Sequence, residues 1–513
     1  MQKRIGIIIG KIYKEINRQH LCGILEEAYA HGVSAYVFTL TEESGDSTIA
    51  IGERNLFSMI NFSMLDGILF LPYTLSSTPY SDYIQRFLQE NCTLPVVRVG
   101  TETQPFPSIW YHDRSEMTEI TRHLIVHHGC RNMICLTGQS FQTVSHERLA
   151  GFRDALDEAG IPFREENGIF GDFWIYTAQN LAREIADGIR PKPDAVVCAN
   201  DTMAIALCDS LKEHGLNVPD DILVTGYDGT LEAQIHVPPI TTYRTSWRQL
   251  GRNAYALLHK LMTGEVIEPQ MQERGTLMCR KSCGCVENIA QEEQLKELSY
   301  QQMEDSFLDS NLSTHLLSCN NLDSFVRTMY DNMYVFLDPA YYDKQQFCLC
   351  LCDDWDTGSL PDYSFHDYRT QGYSEQMMLM CYNGNHLSFP LADMVPTDLM
   401  RSEIPTVTFF TAVHFQDRCF GYSALQFRGV ADGFNAHYLR FCREVNNGLE
   451  FLRVQNALRS LAYHNLLTQV RDTMTGLYNL KSLPHIWVDY VRNVQESGEH
   501  AFWWRCPSQG CIA

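Results

Sequence analysis

Short apolar runs and amphipathic stretches alternate along roughly the first 285 residues. The apolar runs predict buried strands at RIGIII, AYVFTL, DGILFL, PVVRV, MICLT, DAVVCAN and ILVTGYD, and helical patterns lie between them, for example over 21–31, 116–127, 148–158 and 203–214. Such alternation indicates parallel sheets covered by helices, because parallel strands are buried on both faces. We therefore predict an α/β domain over 1–285 with two lobes and a ligand cleft at the carboxyl ends of the strands.

The pattern changes after the segment CRKSCGC (279–285). A polar helical stretch over 286–309 predicts a connector. The next block, 310–433, combines a helical stretch over 312–337 with strand-like FCLCLC, PTVTFFTAVHF and CFGYSALQF, whereas 361–405 has the pattern of an irregular insertion. One helix and a few antiparallel strands predict a small α+β sensory module, loosely similar to GAF domains.

A single long helix is predicted over 434–470. Its apolar positions Phe451, Val454, Leu458 and Leu461 are spaced three, four and three residues apart, and Asn465 follows four residues later. This narrow stripe is typical of a two-stranded coiled coil, which favours a homodimer. It covers only about two heptads, so a helix packed on its own domain is an equal alternative.

Charge and hydropathy restrict the partners of the chain. Among 513 residues, 40 are Lys or Arg and 62 are Asp or Glu, which gives a net charge of −22. No basic arm is present, so we expect no direct binding to nucleic acid. No run of about 18 apolar residues predicts a membrane span, and the opening MQKRIGIIIG is too short for a signal peptide. We expect a cytoplasmic protein whose 18 cysteines are reduced thiols.

Four segments carry a specific resemblance: SHERLAGFRDALDEAGI (145–161), PDAVVCANDTMAIALCDSL (193–211), VPDDILVTGYDGT (218–230) and PPITTYRTSWRQLGRNAYALL (238–258). In this order they resemble the sensor domain of the LacI/GalR family, which is related to periplasmic sugar-binding proteins. The resemblance implies a hinged, two-lobed domain that closes on a small molecule, often a sugar or nucleobase. Because the chain starts on the first sensor strand, we expect it to lack the helix-turn-helix head of the family.

The resemblance also implies ligand-binding residues in the second lobe. Arg148 matches a ligand-binding guanidinium, Asp228 an acceptor and Asn200 a ligand-contacting amide, and Phe173 or Trp174 falls where the family offers an aromatic face. Structural alternatives remain: Arg148 and Asp228 could pair with each other across the cleft, and Trp174 could belong to the core. Asp201 could be only a helix cap.

In the first lobe, the resemblance places Tyr13, Asn17, Pro72 and Tyr73 in loops that meet the ligand. The segment GKIYKEIN departs from the common Asn-Pro-Phe pattern of the family at this loop. The class of ligand therefore stays open between sugar-like and nucleobase-like molecules.

The segment RDTMTGLYNLKSL (471–483) resembles the start of GGDEF domains, the diguanylate cyclases. The matching residues are Asp472, Thr475, Gly476, Leu477 and Asn479. No Gly-Gly-Asp/Glu-Glu-Phe sequence follows, so we predict that 471–513 is a truncated fragment without cyclase activity. The alternative is an ordinary turn after a helix.

No catalytic motif, cofactor site or metal site is predicted. Cys279, Cys283 and Cys285 are closely spaced, but the sequence shows no fourth ligand, and structural zinc requires four. Cys348, Cys350 and Cys352 alternate along a strand, as buried free thiols commonly do. We predict a non-enzymatic, ligand-sensing signalling protein with an inactive cyclase fragment. The alternative is a LacI-type transcriptional regulator that lacks its DNA-binding head.

Overall fold

A computed structural model describes residues 2–40, 47–75, 78–100, 105–110, 112–265, 275–285, 312–337, 345–356, 368–382, 385–396, 402–428 and 436–470. The strands are β1 (Arg4–Gly10), β2 (Ser34–Leu40), β3 (Gly67–Phe70), β4 (Val96–Gly100), β5 (Ser108–Trp110), β6 (Met133–Thr137), β7 (Gly168–Phe170), β8 (Ala195–Cys198), β9 (Leu223–Thr225), β10 (Thr242–Arg244), β11 (Thr276–Met278), β12 (Gln345–Cys352), β13 (Gln376–Met380), β14 (His386–Pro390), β15 (Thr406–Phe415) and β16 (Arg418–Arg428). The α-helices are α1 (Glu15–Ala30), α2 (Thr48–Arg54), α3 (Thr78–Asn91), α4 (Asp113–His128), α5 (Thr143–Glu158), α6 (Tyr176–Ala186), α7 (Asp201–Glu213), α8 (Leu231–Ile235), α9 (Trp247–Thr263), α10 (Leu322–Asp331) and α11 (Ala436–Val470).

Two parallel sheets form the two lobes. The first lobe contains the strand order β2-β1-β3-β4-β5, and the second lobe contains β7-β6-β8-β9. Their registers are parallel throughout. The central strands are mostly apolar and buried on both faces, and every residue of β2 is buried. The predicted two-lobed α/β fold is confirmed.

Helix α9 belongs to the first lobe although it follows the second lobe in sequence. It packs closely on α1, and two glycines make this approach feasible. A Cβ atom at Gly23 would lie 1.9 Å from the carbonyl oxygen of Arg248, and one at Gly251 would lie 2.1 Å from that of His20. The chain therefore crosses between the lobes more than once, which is the connectivity of a hinged clamp.

The middle block continues the sheet of the first lobe instead of forming a separate sheet. Its five antiparallel strands have the order β14-β13-β12-β16-β15, and β15 pairs in parallel with β2, which produces one ten-stranded sheet. Phe410 of β15 stacks on Phe38 of β2 with ring centroids 5.3 Å apart. The backbone N–H of Thr406 donates to Ser34 Oγ at 3.1 Å, across 372 positions of sequence. Residues of both segments share two hydrophobic cores.

The structure corrects two expectations in the middle block. The interval 361–405 is not simply an irregular insertion, because it contains β13 and β14, which pair as a hairpin. The helical stretch 312–337 is divided, since the side chain of Asn321 caps α10 in a capping box with Ser324. The predicted connector 286–309 and the predicted GGDEF-like segment 471–513 lie outside the described residues.

The long helix α11 coincides with the single long helix predicted over 434–470. Tyr438, Phe441, Val445, Leu449 and Leu452 are buried against the middle block. The predicted stripe lies on another face and is exposed, by 39% at Phe451, 38% at Val454, 61% at Leu458 and 40% at Leu461. Along the described part of the helix, the stripe is thus not packed on its own domain. Among the described helices, none has the length and hydropathy needed to cross a bilayer.

Candidate ligand-binding cleft

A cavity of about 400 Å³ lies between the two lobes at the carboxyl ends of their strands. Seven of the nine residues predicted to meet the ligand line it, namely Asn17, Pro72, Tyr73, Arg148, Phe173, Asn200 and Asp228. Tyr13 and Trp174 do not. Tyr13 is 40% exposed and lines a groove against β15 and α11, and Trp174 is 52% exposed, so it is not a core residue either.

Arg148 is fixed in place by the second lobe. Its Nε donates to Asp113 Oδ1 at 2.8 Å, its Nη1 donates to the carbonyl oxygen of Ala199, and its guanidinium lies 3.8 Å from the ring centroid of Tyr227. Burial lowers the pKa of Arg148, but Asp113, Tyr227 and Asp228 raise it by more, so the group stays charged. Among the described residues, none accepts a hydrogen bond from Nη2. This edge of the guanidinium is available to a ligand in the cleft.

Asp228 follows β9 and has a backbone φ of 113°, a conformation that few residues other than glycine adopt. Its amide donates to the carbonyl oxygen of Tyr243, and its carbonyl accepts from Trp247 Nε1, so the backbone is held at both ends. The carboxylate accepts no hydrogen bond from any residue in the described ranges, and its nearest cation, Arg148 Nη1, is 3.8 Å away. That separation exceeds a hydrogen bond.

The environment of Asp228 disfavours its charged form. Burial raises the pKa of Asp228 well above its usual value; Arg148 opposes the shift, and Asp201, Asp113 and Glu116 add to it. Arg148 and Asp228 both belong to the second lobe, so they do not form a bridge across the cleft. A carboxylate held in this way is stabilised by any ligand that donates hydrogen bonds to it.

Asn200, not Asp201, caps helix α7. The Asn200 Oδ1 accepts from the backbone N–H of Met203 at 2.9 Å, while its Nδ2 donates to the carbonyl oxygen of Phe173 at 3.0 Å. Asp201 Oδ2 instead accepts from the backbone N–H of Thr230 at 2.7 Å. Asn200 therefore lines the cavity and also holds the backbone of Phe173 in place.

The Phe173 ring lies directly over Gly138. A Cβ atom at Gly138 would be 1.8 Å from Phe173 Cε2, so only glycine leaves space for the ring at that position. Phe173 itself has a φ of 56°, which turns its side chain into the cleft. The second lobe thus presents the aromatic face of Phe173 beside Arg148. The guanidinium carbon of Arg148 lies 5.9 Å from the centroid of the Phe173 ring.

In the first lobe, Asn17 and Tyr73 are held by buried partners. Asn17 Nδ2 donates to the carbonyl oxygens of Gly10 and Lys11, both at 3.1 Å. The Tyr73 hydroxyl lies 2.7 Å from His20 Nδ1. Burial lowers the pKa of His20 to about 3, so this imidazole is neutral and fixes the hydroxyl of Tyr73 at the cleft.

The cavity also contains residues that the sequence did not identify: Lys14, Arg98, Phe141 and Trp247. Trp247 begins α9 and packs edge-on against His20, with ring centroids 5.1 Å apart. Trp247 lies inside the family-like segment 238–258, and this position was the one feature of the sequence that could have pointed to it as a ligand-binding residue. Arg98 and Phe141 lie in segments that carry no such signal.

Comparison with known proteins identifies the family. A family model described as a periplasmic binding protein-like domain matches residues 121–283. The chain is 30% identical over 258 residues to the HTH-type transcriptional repressor PurR of Vibrio parahaemolyticus, covering 50% of this chain and 73% of the repressor. It is also 30% identical over 283 residues to PurR of Photobacterium profundum, covering 55% and 81%. The structure of the transcription regulator CcpA of Lactococcus lactis aligns with 55% of this chain and 99% of its own, at 23% identity and a TM-score of 0.46. The chain belongs to the LacI/GalR family through its periplasmic-binding-protein-like sensor domain.

Proposed function

We propose that the cleft binds a polar small molecule, sugar-like or nucleobase-like, that donates hydrogen bonds to Asp228. The observation that carries this proposal is the Asp228 carboxylate, which lines the cavity, accepts no hydrogen bond from the described residues and lies beside the Nη2 edge of Arg148. When a ligand displaces water from the cleft, a polar acceptor left without a donor costs about 1–3 kcal/mol. A ligand that donates hydrogen bonds to Asp228 avoids this cost, and Phe173 offers an aromatic face on which a flat ligand stacks.

We propose that closure of the two lobes on this ligand regulates transcription. The two curated relatives are named as transcriptional repressors. Their names favour a role in transcription over signalling through a diguanylate cyclase. The GGDEF-like residues, 472–479, lie outside the described ranges, and the relatives reported above are not named as diguanylate cyclases. The net charge of −22 argues against direct contact between the given residues and DNA.

We propose that the sensor acts as a homodimer. The apolar stripe of α11 is exposed at four consecutive positions of a three–four spacing, although the opposite face of the same helix is buried. A second copy of α11 has the same stripe, so an isologous pairing of the two helices covers both.

A thermal-shift screen tests the cleft. Sugars, nucleosides and nucleobases are added to the full chain, and a ligand at a hundredfold its dissociation constant stabilises the protein by about 2.7 kcal/mol. The Asp228→Asn variant is expected to lose this response, whereas the control variant Asp220→Asn, at an exposed carboxylate of the same lobe, keeps it. An Asp228→Asn protein that responds as fully as the wild type removes Asp228 from the binding site.

A further inference from the structure

Two imidazoles and two thiols converge at the end of the sensor domain, outside the cleft. His123 and His128 lie near the carboxyl end of α4, and Cys283 and Cys285 follow β11. One ligand atom from each of the four residues lies within 4.8 Å of the other three. Gly284, between the two cysteines, has a φ of 88°, which turns the chain so that both thiols face α4.

The distances among these atoms match the edges of a tetrahedron around zinc. The two Nε2 atoms of His123 and His128 are 3.3 Å apart, Cys283 Sγ is 3.5 Å from His123 Nε2, and Cys285 Sγ is 3.7 Å and 3.6 Å from the Nε2 atoms of His123 and His128. Bonds of about 2.0–2.1 Å to nitrogen and about 2.3 Å to sulfur require edges of roughly 3.3 Å between nitrogens and roughly 3.6 Å between nitrogen and sulfur.

Groups around the four atoms hold them in this orientation. Cys279 Sγ lies 3.7 Å from Nδ1 of His123, the nitrogen that faces away from the cluster. A metal-bound imidazole usually donates its other N–H to such a partner, which fixes the tautomer. The Thr241 hydroxyl donates to the sulfur of Cys283 at 2.9 Å, and Cys283 is fully buried. Cys279 also interacts with Cys285, but its sulfur is not one of the four mutually close ligand atoms, so we place Cys279 as a supporting residue.

We propose that His123, His128, Cys283 and Cys285 bind one structural zinc ion. Mixed thiolate and imidazole ligands in a tetrahedron select zinc over the hard cations, and four protein ligands leave no open position for catalysis. The sequence showed no further ligand beside the closely spaced cysteines, and the fold supplies two by bringing His123 and His128 to them. The ion would fasten the last segment of the sensor domain to α4 of the second lobe, at the point where residues 286–311 begin.

The test is metal analysis of the full chain, purified under reducing conditions and reconstituted with zinc. We expect one zinc per chain. Cys283→Ser and His128→Gln are expected to lose it, whereas the matched control His127→Gln, at the exposed neighbour on α4, keeps it. Cys279→Ala is expected to keep the ion but to bind it about 10–100-fold more weakly, as loss of a supporting partner does.

A second measurement does not depend on the variants folding. Wild-type protein loaded with Co²⁺ should show the strong visible absorption of a tetrahedral ion with thiolate ligands. Wild-type protein that holds less than about a tenth of an equivalent of zinc and lacks this absorption overturns the proposal. So does a folded Cys283→Ser protein that holds as much zinc as His127→Gln.

Discussion

Replacing Arg148 with alanine tests how the candidate site is built. The side chains of Arg148 and Asp113 are 7% and 8% exposed, and they are joined at 2.8 Å. Removing the guanidinium leaves Asp113 as an uncompensated buried charge, and it also takes away the cation nearest to Asp228. Breaking a buried pair by removing one partner costs about 3–5 kcal/mol. At about 2–4 °C per kcal/mol, the midpoint of thermal unfolding falls by about 6–20 °C.

The same chain contains a matched control. Arg114 contacts Asp154 at 2.6 Å, but these side chains are 56% and 36% exposed. Arg114→Ala is therefore expected to leave the unfolding midpoint close to that of the wild type, since exposed pairs contribute little. Both variants are compared by differential scanning fluorimetry without ligand. An Arg148→Ala protein that unfolds within about 2 °C of the wild type would refute the buried-pair reasoning.

Two further predictions concern pH and assembly. Burial raises the pKa of Asp201 to about 6, so the folded protein binds this proton more tightly than the unfolded chain does, and stability decreases as pH rises from about 4 through about 6. We compare the free energy of urea unfolding of Asp201→Asn and the wild type at several pH values. Relative to the wild type, the variant should become more stable as pH rises through this window. Parallel pH profiles of the two proteins would contradict the raised pKa of Asp201. For the homodimer, Leu458→Glu should lower the mass measured by light scattering to that of one chain, while Ser460→Glu, off the stripe, should not. A wild-type chain that is monomeric at micromolar concentration would exclude this pairing.

Local patterns were sufficient for the long elements of the sensor domain. Strands such as β1 and β6 are continuous apolar runs, and their burial on both faces follows from that composition. The three-residue strands β5, β7, β10 and β11 were missed because such short segments have no detectable periodicity. The pairing of β15 with β2 could not be predicted, since it joins segments more than 360 residues apart and depends on register instead of local preference.

The residues of the two sites also divide into those that a local motif indicates and those that only the folded chain brings together. Arg148 and Asp228 were identified because each lies in a family-like motif, and the structure brings them within 3.8 Å of each other. Whether an aromatic residue turns into the cleft depends on a single backbone angle, so Phe173 and its neighbour Trp174 could not be distinguished in sequence. The four proposed zinc ligands combine α4 with a segment about 155 residues later, and only the folded second lobe brings them together.

The ten-stranded sheet determines which parts of the protein can move against each other. Because unbroken backbone hydrogen bonds run from β14 to β5, the first lobe, the middle block and the base of α11 behave as one rigid frame. Cys285 belongs to the opposite lobe, whereas Leu312 is already buried in the core of that frame. Under the proposed closure of the lobes, the distance between Cys285 and Leu312 therefore changes, although the sheet itself does not deform.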